Sequence, residues 1–183
     1  MRVGLYGGTF DPIHNGHIHV ITELITRKIV DYLLVLPAGQ PRLRDGEPHA
    51  TGAQRRTMCQ LAINELPADI KKHIEVNPIE VLREGPSYTV DTVEAVAQAY
   101  EGDTIVLIVV TYAYENIDQL HRAEELKKMV EFVVIDRPEF PGEHNTSVDA
   151  IAVSATDIRA HKSDAVPAAV AAFIKENNLY ASK

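Results

Sequence analysis

The chain has 183 residues, of which 45% are hydrophobic and 24% carry a charged side chain. This length and composition are typical of a globular protein with a substantial core, and we expect one domain covering residues 1–183. The formal net charge of −8 disfavours a general nucleic-acid-binding or anionic-membrane-binding surface. The single cysteine, Cys59, excludes an internal disulfide and favours a reducing compartment. Because the N-terminus lacks a signal-peptide pattern and no apolar run reaches transmembrane length, the expected location is the cytoplasm.

Apolar runs that are typical of buried strands alternate with helical patterns along the chain. Strands are predicted at residues 3–6, 32–36, 74–76, 105–110, 132–135 and 150–153. Helices are predicted at residues 18–29, 51–66, 89–100, 120–129 and 166–177. This alternation predicts a Rossmann-like α/β fold with a doubly wound, mainly parallel sheet. Ligands of such sheets bind beyond the carboxyl ends of the strands, so the loops there are the candidate site.

The segment from Gly7 to His17 (GGTFDPIHNGH) joins the first predicted strand to the first predicted helix. Unpaired N–H groups and the positive dipole end make a helix N-terminus an anion site. His14 and His17 are three residues apart and share one face of the first helical turn, while Gly16 leaves room for a ligand near the backbone. Gly-Gly-Thr and Asp-Pro are also ordinary turn signals, but their combination with two histidines after a strand favours a phosphate site.

The sequence contains neither of two common phosphate-binding motifs. The chain lacks the G-x-G-x-x-G fingerprint, which argues against a nicotinamide- or flavin-dependent dehydrogenase. It also lacks the P-loop pattern, which argues against a standard kinase or NTPase. A second candidate phosphate element is Ser154–Arg159, where Thr156 and Arg159 are spaced to face one triphosphate and Arg159 offers fork geometry. The alternative for Ser154 and Thr156 is simple helix capping.

Several segments resemble, in order, those of bacterial nicotinate-nucleotide adenylyltransferases, which belong to the H-x-G-H nucleotidyltransferase superfamily. Residues 7–17 contain the H-x-G-H motif, and residues 85–92 (GPSYTVDT) resemble the Pro-Ser-Tyr-Thr-x-Asp-Thr segment of that family. Residues 121–138 resemble its fourth helix and fifth strand. Residues 153–159 (VSATDIR) resemble its Ile-Ser-Ser-Thr-x-Ile-Arg motif, and residues 173–180 fit its C-terminal helix. The resemblance spans nearly the whole chain.

The resemblance implies an enzyme of NAD biosynthesis that moves AMP from ATP to nicotinate mononucleotide and releases pyrophosphate. Such a transfer depends on positioning and charge stabilisation and requires no covalent intermediate. The residues that the resemblance implies as catalytic are His14, His17 and Arg159. The residues expected to bind ATP are these three together with Gly8, Thr9, Phe10, Gly16, Ser154 and Thr156.

On the acceptor side, Tyr88 and Thr89 resemble residues that line the nicotinate mononucleotide pocket. Arg137 is a candidate to bind an acceptor carboxylate or phosphate, and its alternative is a solvated arginine before a proline. The chain contains no independent metal-ligand cluster, so Mg²⁺ is expected to be held through the ATP phosphates. The expected partners are therefore ATP and the acceptor, without nucleic acid or membrane. The oligomeric state is left open.

The chain departs from the family pattern at four places. Residues 41–44 read Pro-Arg-Leu-Arg where the family has Pro-Pro-His-Lys, and Arg44 is a candidate replacement for the lysine charge, although with different geometry. Residues 110–112, Val-Thr-Tyr, align with a Gly-x-Asp element of the family. Their bulk is expected to displace the following loop or to fill part of the nucleotide pocket. Leu120 replaces a tryptophan, and Ala155 replaces a second serine.

These departures leave two alternatives open: a divergent paralogue for another phosphorylated acceptor, such as phosphopantetheine, and a non-catalytic nucleotide-binding module. The H-x-G-H histidines and Arg159 favour an enzyme, whereas Val110 and Tyr112 favour the binding module. Pantetheine-phosphate adenylyltransferases share H-x-G-H but do not explain the Tyr88-Thr89 segment. A fragment of a class I aminoacyl-tRNA synthetase is disfavoured by the short, acidic chain, which lacks a Lys-Met-Ser-Lys-Ser-like motif.

Overall fold

The computed structural model describes residues 1–39, 47–136, 145–146, 148 and 150–181. Its six strands are β1 (Arg2–Gly8), β2 (Tyr32–Pro37), β3 (Ile74–Val76), β4 (Thr104–Val110), β5 (Glu131–Ile135) and β6 (Asn145–Thr146). They form one sheet in the order β3-β2-β1-β4-β5-β6, and every neighbouring pair runs parallel. The predicted parallel, doubly wound sheet is therefore confirmed.

The helices connect the strands and cover both faces of the sheet. They are α1 (Asn15–Thr26), α2 (Gly52–Asn64), α3 (Ala68–Lys71), α4 (Thr89–Ala99), α5 (Thr111–Glu115), α6 (Ala123–Met129), α7 (Ala155–Arg159) and α8 (Ala168–Glu176). A 3₁₀ turn at Ile117–Gln119 delays the start of α6 relative to the predicted helix. The short helices α3 and α5 were not predicted, whereas α7 begins after Ser154, where a helix start was one of the two interpretations. Within the described residues, no helix is both long and apolar enough to cross a membrane.

The strand predicted at residues 150–153 is wrong. These residues form no regular element, and the last strand is instead β6, which pairs with β5. The Val153 N–H donates to the Ile151 carbonyl at 3.1 Å, and the Ile151 side chain is exposed. A short apolar run predicts a buried strand, but this one forms no part of the sheet and lines a cavity instead.

The position of β1 in the sheet creates the crevice in which a ligand is expected. β1 pairs with β2 on one side and with β4 on the other, so the strand order reverses there. The period-two alternation of strands sends Leu33 and Val35 into the core beneath α1, α2 and α8. It sends Leu34 and Leu36 into the core beneath α4 and α6. Loops that leave β1 and β4 toward opposite faces open a crevice at their carboxyl ends.

Candidate active site

Two stacked imidazoles occupy the N-terminus of α1. His14 is the N-cap, and its Nδ1 accepts hydrogen bonds from the N–H groups of Gly16 (3.1 Å) and His17 (3.3 Å). The His17 Nδ1 accepts from the His14 N–H at 3.1 Å, which completes a reciprocal capping box. Because both Nδ1 atoms act as acceptors, each neutral ring carries its proton on Nε2. The ring centroids are 3.6 Å apart with an interplanar angle of 20°.

The residues around the two imidazoles explain why they stack. A Cβ at Gly16 would lie 2.9 Å from the His14 Cε1 atom, so the glycine makes room for that ring. Phe10 adopts a left-handed φ of 51°, which is unfavourable for a bulky residue and must be held by its surroundings. Its buried ring packs edge-on against His17, with 4.9 Å between centroids, and against Tyr6. The turn therefore holds His17 between an aromatic ring and His14.

The second predicted phosphate element faces the imidazoles across a cleft of about 320 Å³. The residues that line this cleft are Thr9, Phe10, Asp11, His14, His17, Ser154, Ala155, Thr156 and Arg159. The structure thus brings seven of the nine predicted ATP-binding residues together. Of the other two, Gly8 lines a larger cavity nearby, and Gly16 lines a smaller one. The three residues predicted to be catalytic all line the cleft.

Arg159 joins the two phosphate elements directly. Its Nη1 donates to the Asp11 carbonyl at 2.9 Å, and its Nη2 donates to the Thr156 hydroxyl at 3.4 Å. The Ser154 hydroxyl caps α7 by accepting from the Asp157 N–H at 3.0 Å. Ser154 therefore caps a helix and lines the cleft at the same time, so the two interpretations of this residue are compatible.

Asp11 is a buried carboxylate at the back of the cleft that sequence reasoning missed. Its Oδ1 accepts from the Ala50 N–H (3.0 Å) and from the Tyr180 hydroxyl (2.6 Å). Its Oδ2 accepts from the His49 N–H at 2.8 Å. Asp-Pro had indicated only a turn, because the donors that satisfy this carboxylate come from two distant parts of the chain. Asp11 therefore ties the β1–α1 turn to the segment before α2 and to the C-terminal tail.

Arg55 is a second buried group that the sequence analysis did not single out. Its Nη1 donates to the carbonyls of Thr9 (2.9 Å) and Ala38 (2.6 Å), and its Nε donates to the Ala50 carbonyl at 3.3 Å. One guanidinium thereby connects the loops after β1 and β2 with the start of α2. The available signal was its helical spacing, since Arg55 shares the buried face of α2 with Met58 and residues 59, 62 and 63.

A larger cavity of about 530 Å³ lies beyond the carboxyl ends of β1 and β4. Tyr88 and Thr89, both predicted on the acceptor side, line it together with Thr9, which also lines the phosphate cleft. The Tyr88 ring lies against the ring of His121, with 4.3 Å between centroids. His121 was not predicted as a site residue, and it follows the leucine that replaces the family's tryptophan. The other two predicted acceptor ligands, Arg44 and Arg137, lie outside the described residues.

The backbone next to His121 is held by ion pairs. Arg122 has a left-handed φ of 52°, and its guanidinium pairs with Glu94 of α4 at 2.6 Å and with Glu125 of α6. Hydrogen bonds with the carboxylates of Glu125 and Glu94 raise the pKa of Arg122. The hydrogen bond between Glu125 and Arg122 also lowers the pKa of Glu125. The ion pairs therefore fix Arg122, the neighbour of His121, to α4. Tyr88 is the N-cap of the same helix.

A smaller cavity of about 120 Å³ adjoins the imidazoles, and Val110 and Val153 contribute to its largely apolar wall. Tyr112 does not line this cavity, so of the two expected consequences of bulk at residues 110–112, filling of the nucleotide pocket does not apply to Tyr112. The helix α5 begins at Thr111, whose side chain is buried, and the following Tyr112 side chain is 61% exposed. Of the two bulky residues that replace the family's Gly-x-Asp, only Val110 therefore lines this small cavity and narrows it.

Glu80 is the one carboxylate among the described residues that line the larger cavity. Its partial burial raises its pKa to about 7, while the nearby Arg83 acts in the opposite direction. The unfolded chain has an ordinary glutamate pKa near 4.3, so between these values the folded protein binds more protons than the unfolded one. The free energy of unfolding must then fall as the pH rises through this window.

The Glu80→Gln variant is expected to remove this pH dependence. At pH 5, Glu80 is protonated in the folded protein, and the stability difference between the variant and the unmodified protein at this pH serves as the reference. From pH 5 to pH 8, the variant should gain stability relative to the unmodified protein. Urea unfolding at several pH values measures the difference. A difference that does not change with pH would show that Glu80 titrates normally.

Comparisons with known proteins identify the family of this chain. A family model described as cytidylyltransferase-like matches residues 5–161. The chain is 33% identical to a probable nicotinate-nucleotide adenylyltransferase of Bacillus pumilus and 31% identical to a nicotinate-nucleotide adenylyltransferase of Bacillus subtilis. Each of these alignments covers 99% of both chains.

A solved structure supports the fold. Plasmodium falciparum nicotinic acid mononucleotide adenylyltransferase, solved in complex with NaAD, superposes with a TM-score of 0.80 at 17% sequence identity. The superposition covers 98% of this chain and 97% of that one. On the strength of the family match and of the relatives aligned over their full length, the chain belongs to the cytidylyltransferase-like family and, within it, to the nicotinate-nucleotide adenylyltransferases.

Proposed function

We propose that this protein transfers AMP from ATP to nicotinate mononucleotide and releases pyrophosphate, as a step of NAD biosynthesis. The observation that carries the proposal is the convergence of His14, His17, Thr156 and Arg159 on one cleft. Thr9 lines both this cleft and the neighbouring cavity, so a donor and an acceptor bound there would meet at the β1–α1 turn. The names of the relatives support the transfer of an adenylyl group to a nicotinate nucleotide.

In the proposed reaction, an oxygen of the acceptor phosphate attacks the α-phosphorus of ATP. The new P–O bond forms as the bond to the bridging oxygen breaks, and the β- and γ-phosphates leave as pyrophosphate. His14 and His17 hold their Nε2 protons at the helix N-terminus, where they donate to phosphate oxygens as charge builds up in the transition state. Arg159 neutralises the leaving phosphates. No protein nucleophile takes part.

The two cavities beside the cleft are proposed to hold the rest of each substrate. The apolar wall that includes Val110 and Val153 suits the adenine base of ATP. On the acceptor side, the pyridinium ring of nicotinate mononucleotide carries a positive charge, which favours contact with the aromatic face of Tyr88. Arg44 and Arg137 remain proposed ligands of the acceptor's anionic groups.

A magnesium ion is proposed to enter the site with ATP. Among the described residues there is no cluster of carboxylate, histidine or cysteine side chains that suits a metal. Both oxygens of Asp11, the carboxylate of the cleft, already accept hydrogen bonds. Mg²⁺ in nucleotide sites is commonly held by the substrate phosphates, so we assign it no protein ligand. We further propose that residues 1–183 work as one domain in the cytoplasm on these two small molecules, without nucleic acid or membrane.

A pyrophosphate-release assay with a panel of acceptors tests the proposed function. ATP and Mg²⁺ would be combined with nicotinate mononucleotide, with nicotinamide mononucleotide, with phosphopantetheine, or with no acceptor. Release is expected with nicotinate mononucleotide above all others. Release with only another acceptor would identify a divergent paralogue. Calorimetric binding of ATP without release in any mixture would identify a nucleotide-binding module, the alternative that the bulk of Val110 favours.

Replacement of Val110 by alanine is expected to tighten ATP binding, whereas replacement of Tyr112 by aspartate is expected to leave it unchanged. Val110 narrows the cavity proposed for adenine, and relief of an overpacked contact is worth about 1 kcal/mol at the lower end of the measured range. This corresponds to about fivefold tighter binding for Val110→Ala. Tyr112→Asp serves as the control because that side chain faces solvent. Titration calorimetry with ATP decides between them, and an effect of the Tyr112 change alone would reverse our assignment.

A further inference from the structure

The C-terminal tail folds back onto the phosphate side of the molecule. After α8, Asn178 and Tyr180 adopt left-handed φ angles of 52° and 56°, which turn the chain sharply. Leu179 and Tyr180 pack against the core beneath α1 and α2. The Tyr180 carbonyl lies 2.6 Å from the His161 Nε2, which holds the tail close to the end of α7. The tyrosine hydroxyl thereby reaches the back of the cleft.

Two hydrogen bonds, one to the side chain and one to the backbone of Asp11, connect this hydroxyl to Arg159 in the cleft. The Tyr180 hydroxyl donates to the Asp11 Oδ1 at 2.6 Å. The carbonyl of the same aspartate accepts from the Arg159 Nη1 at 2.9 Å, and Arg159 also contacts Thr156. Burial raises the pKa of Tyr180, and the hydrogen bond to Asp11 raises it further, whereas the charges of Arg159 and Arg55 oppose the shift. The hydroxyl is therefore a proton donor at neutral pH.

We propose that Tyr180 is a positioning residue for ATP: its hydroxyl fixes Asp11, and Asp11 in turn fixes the guanidinium of Arg159 in the phosphate cleft. This inference rests on the proposed function, because it assumes that the cleft binds a triphosphate. Without the hydroxyl, the Asp11 carboxylate keeps its bonds to the N–H groups of His49 and Ala50 but loses the bond that links it to the C-terminal tail. The turn that carries the Asp11 carbonyl is then held less firmly, so the hydrogen bond from Arg159 to this carbonyl is expected to weaken.

The Tyr180→Phe variant tests the proposal, because it removes the hydroxyl but keeps the ring that packs on the core. Inorganic tripolyphosphate is the probe, since it reports on the phosphate cleft without either base or acceptor. Loss of one charge-assisted hydrogen bond is expected to weaken tripolyphosphate binding about tenfold, as measured by titration calorimetry. The KM for ATP should rise by a similar factor, while the KM for the acceptor stays unchanged.

Two further variants sharpen the test. Tyr32→Phe is a matched control, because the Tyr32 hydroxyl also donates to a carboxylate, that of Glu75 at 3.4 Å, but at the start of β2 and far from the cleft. The Tyr32→Phe change should alter neither the affinity for tripolyphosphate nor the KM for ATP. His161→Ala releases the tail from an exposed position and should weaken tripolyphosphate binding in the same direction by about twofold to threefold.

The possible outcomes separate this inference from the proposed function. Unchanged tripolyphosphate binding in folded Tyr180→Phe and His161→Ala variants would overturn the positioning role while leaving the function intact. Equal increases in the KM values for ATP and acceptor would indicate a general structural effect and would also overturn it. If the unmodified protein binds neither tripolyphosphate nor ATP, the proposed function fails, and the positioning role fails with it.

Discussion

Replacement of His17 by alanine is expected to lower kcat/KM for adenylyl transfer by about 100-fold or more. The His17 side chain lines the phosphate cleft, stacks on His14 and has its Nδ1 engaged by the backbone. Its Nε2 proton is therefore held in a fixed direction before the substrates arrive. A preorganised donor of this kind contributes about 3 kcal/mol to transition-state stabilisation in comparable sites. Steady-state pyrophosphate release with both substrates varied measures the loss.

The histidine variant must be shown to be folded. Because His17 closes the capping box of α1, its removal is expected to cost about 1 kcal/mol of stability, which thermal unfolding detects. His73→Ala provides the control: His73 precedes β3, at the opposite end of the sheet, and its loss should leave turnover unchanged. Near-normal turnover in a folded His17→Ala variant would remove this residue from the mechanism.

Replacement of Arg55 by alanine is expected to lower the free energy of unfolding by about 3 kcal/mol or more. The guanidinium is buried and donates to three backbone carbonyls, those of Thr9, Ala38 and Ala50. Alanine would leave these acceptors without their charged donor and would open a cavity beneath α2. Denaturant unfolding with linear extrapolation measures the change.

The neighbouring Arg56→Ala change is the matched control for Arg55. Arg56 lies on the exposed face of the same helix, so its replacement should alter stability by no more than about 0.5 kcal/mol. A loss below about 1 kcal/mol for Arg55→Ala would mean that the three carbonyls find water or other donors. The loops after β1 and β2 would then have to be held by other contacts.

The sequence predicted those parts of the site whose residues are close together in the chain. Helical spacing placed His14 beside His17 and Thr156 beside Arg159. Five of the six strands were predicted because their apolar runs are buried on both faces. The meeting of the two phosphate elements was expected from a last strand ending at residue 153, but Ser154 instead follows an irregular segment after β6, at the edge of the sheet.

The interactions that hold the site together were not predictable in this way. Asp11 accepts its hydrogen bonds from residues 38, 39 and 169 positions away, and no local pattern encodes such pairs. In the sequence, Arg55 looks like any arginine of a helix, because the sequence alone does not show that its side of α2 is buried. The strand predicted at residues 150–153 failed because hydrophobicity predicts burial, but not whether a sheet or a cavity covers the segment.

The central position of β1 also has a kinetic consequence during synthesis. During synthesis, β1 can pair with β2 as soon as β2 is complete at Pro37. Its other edge stays unpaired until β4 is complete at Val110, 73 residues later. At roughly 5–20 residues per second, the ribosome takes about 4–15 s to supply that partner. For this interval, a nascent chain exposes an apolar edge that can pair with another chain. Chaperone binding to partly made chains is expected to be strongest before residue 110 emerges, and the last residue that lines the phosphate cleft, Arg159, is made later still.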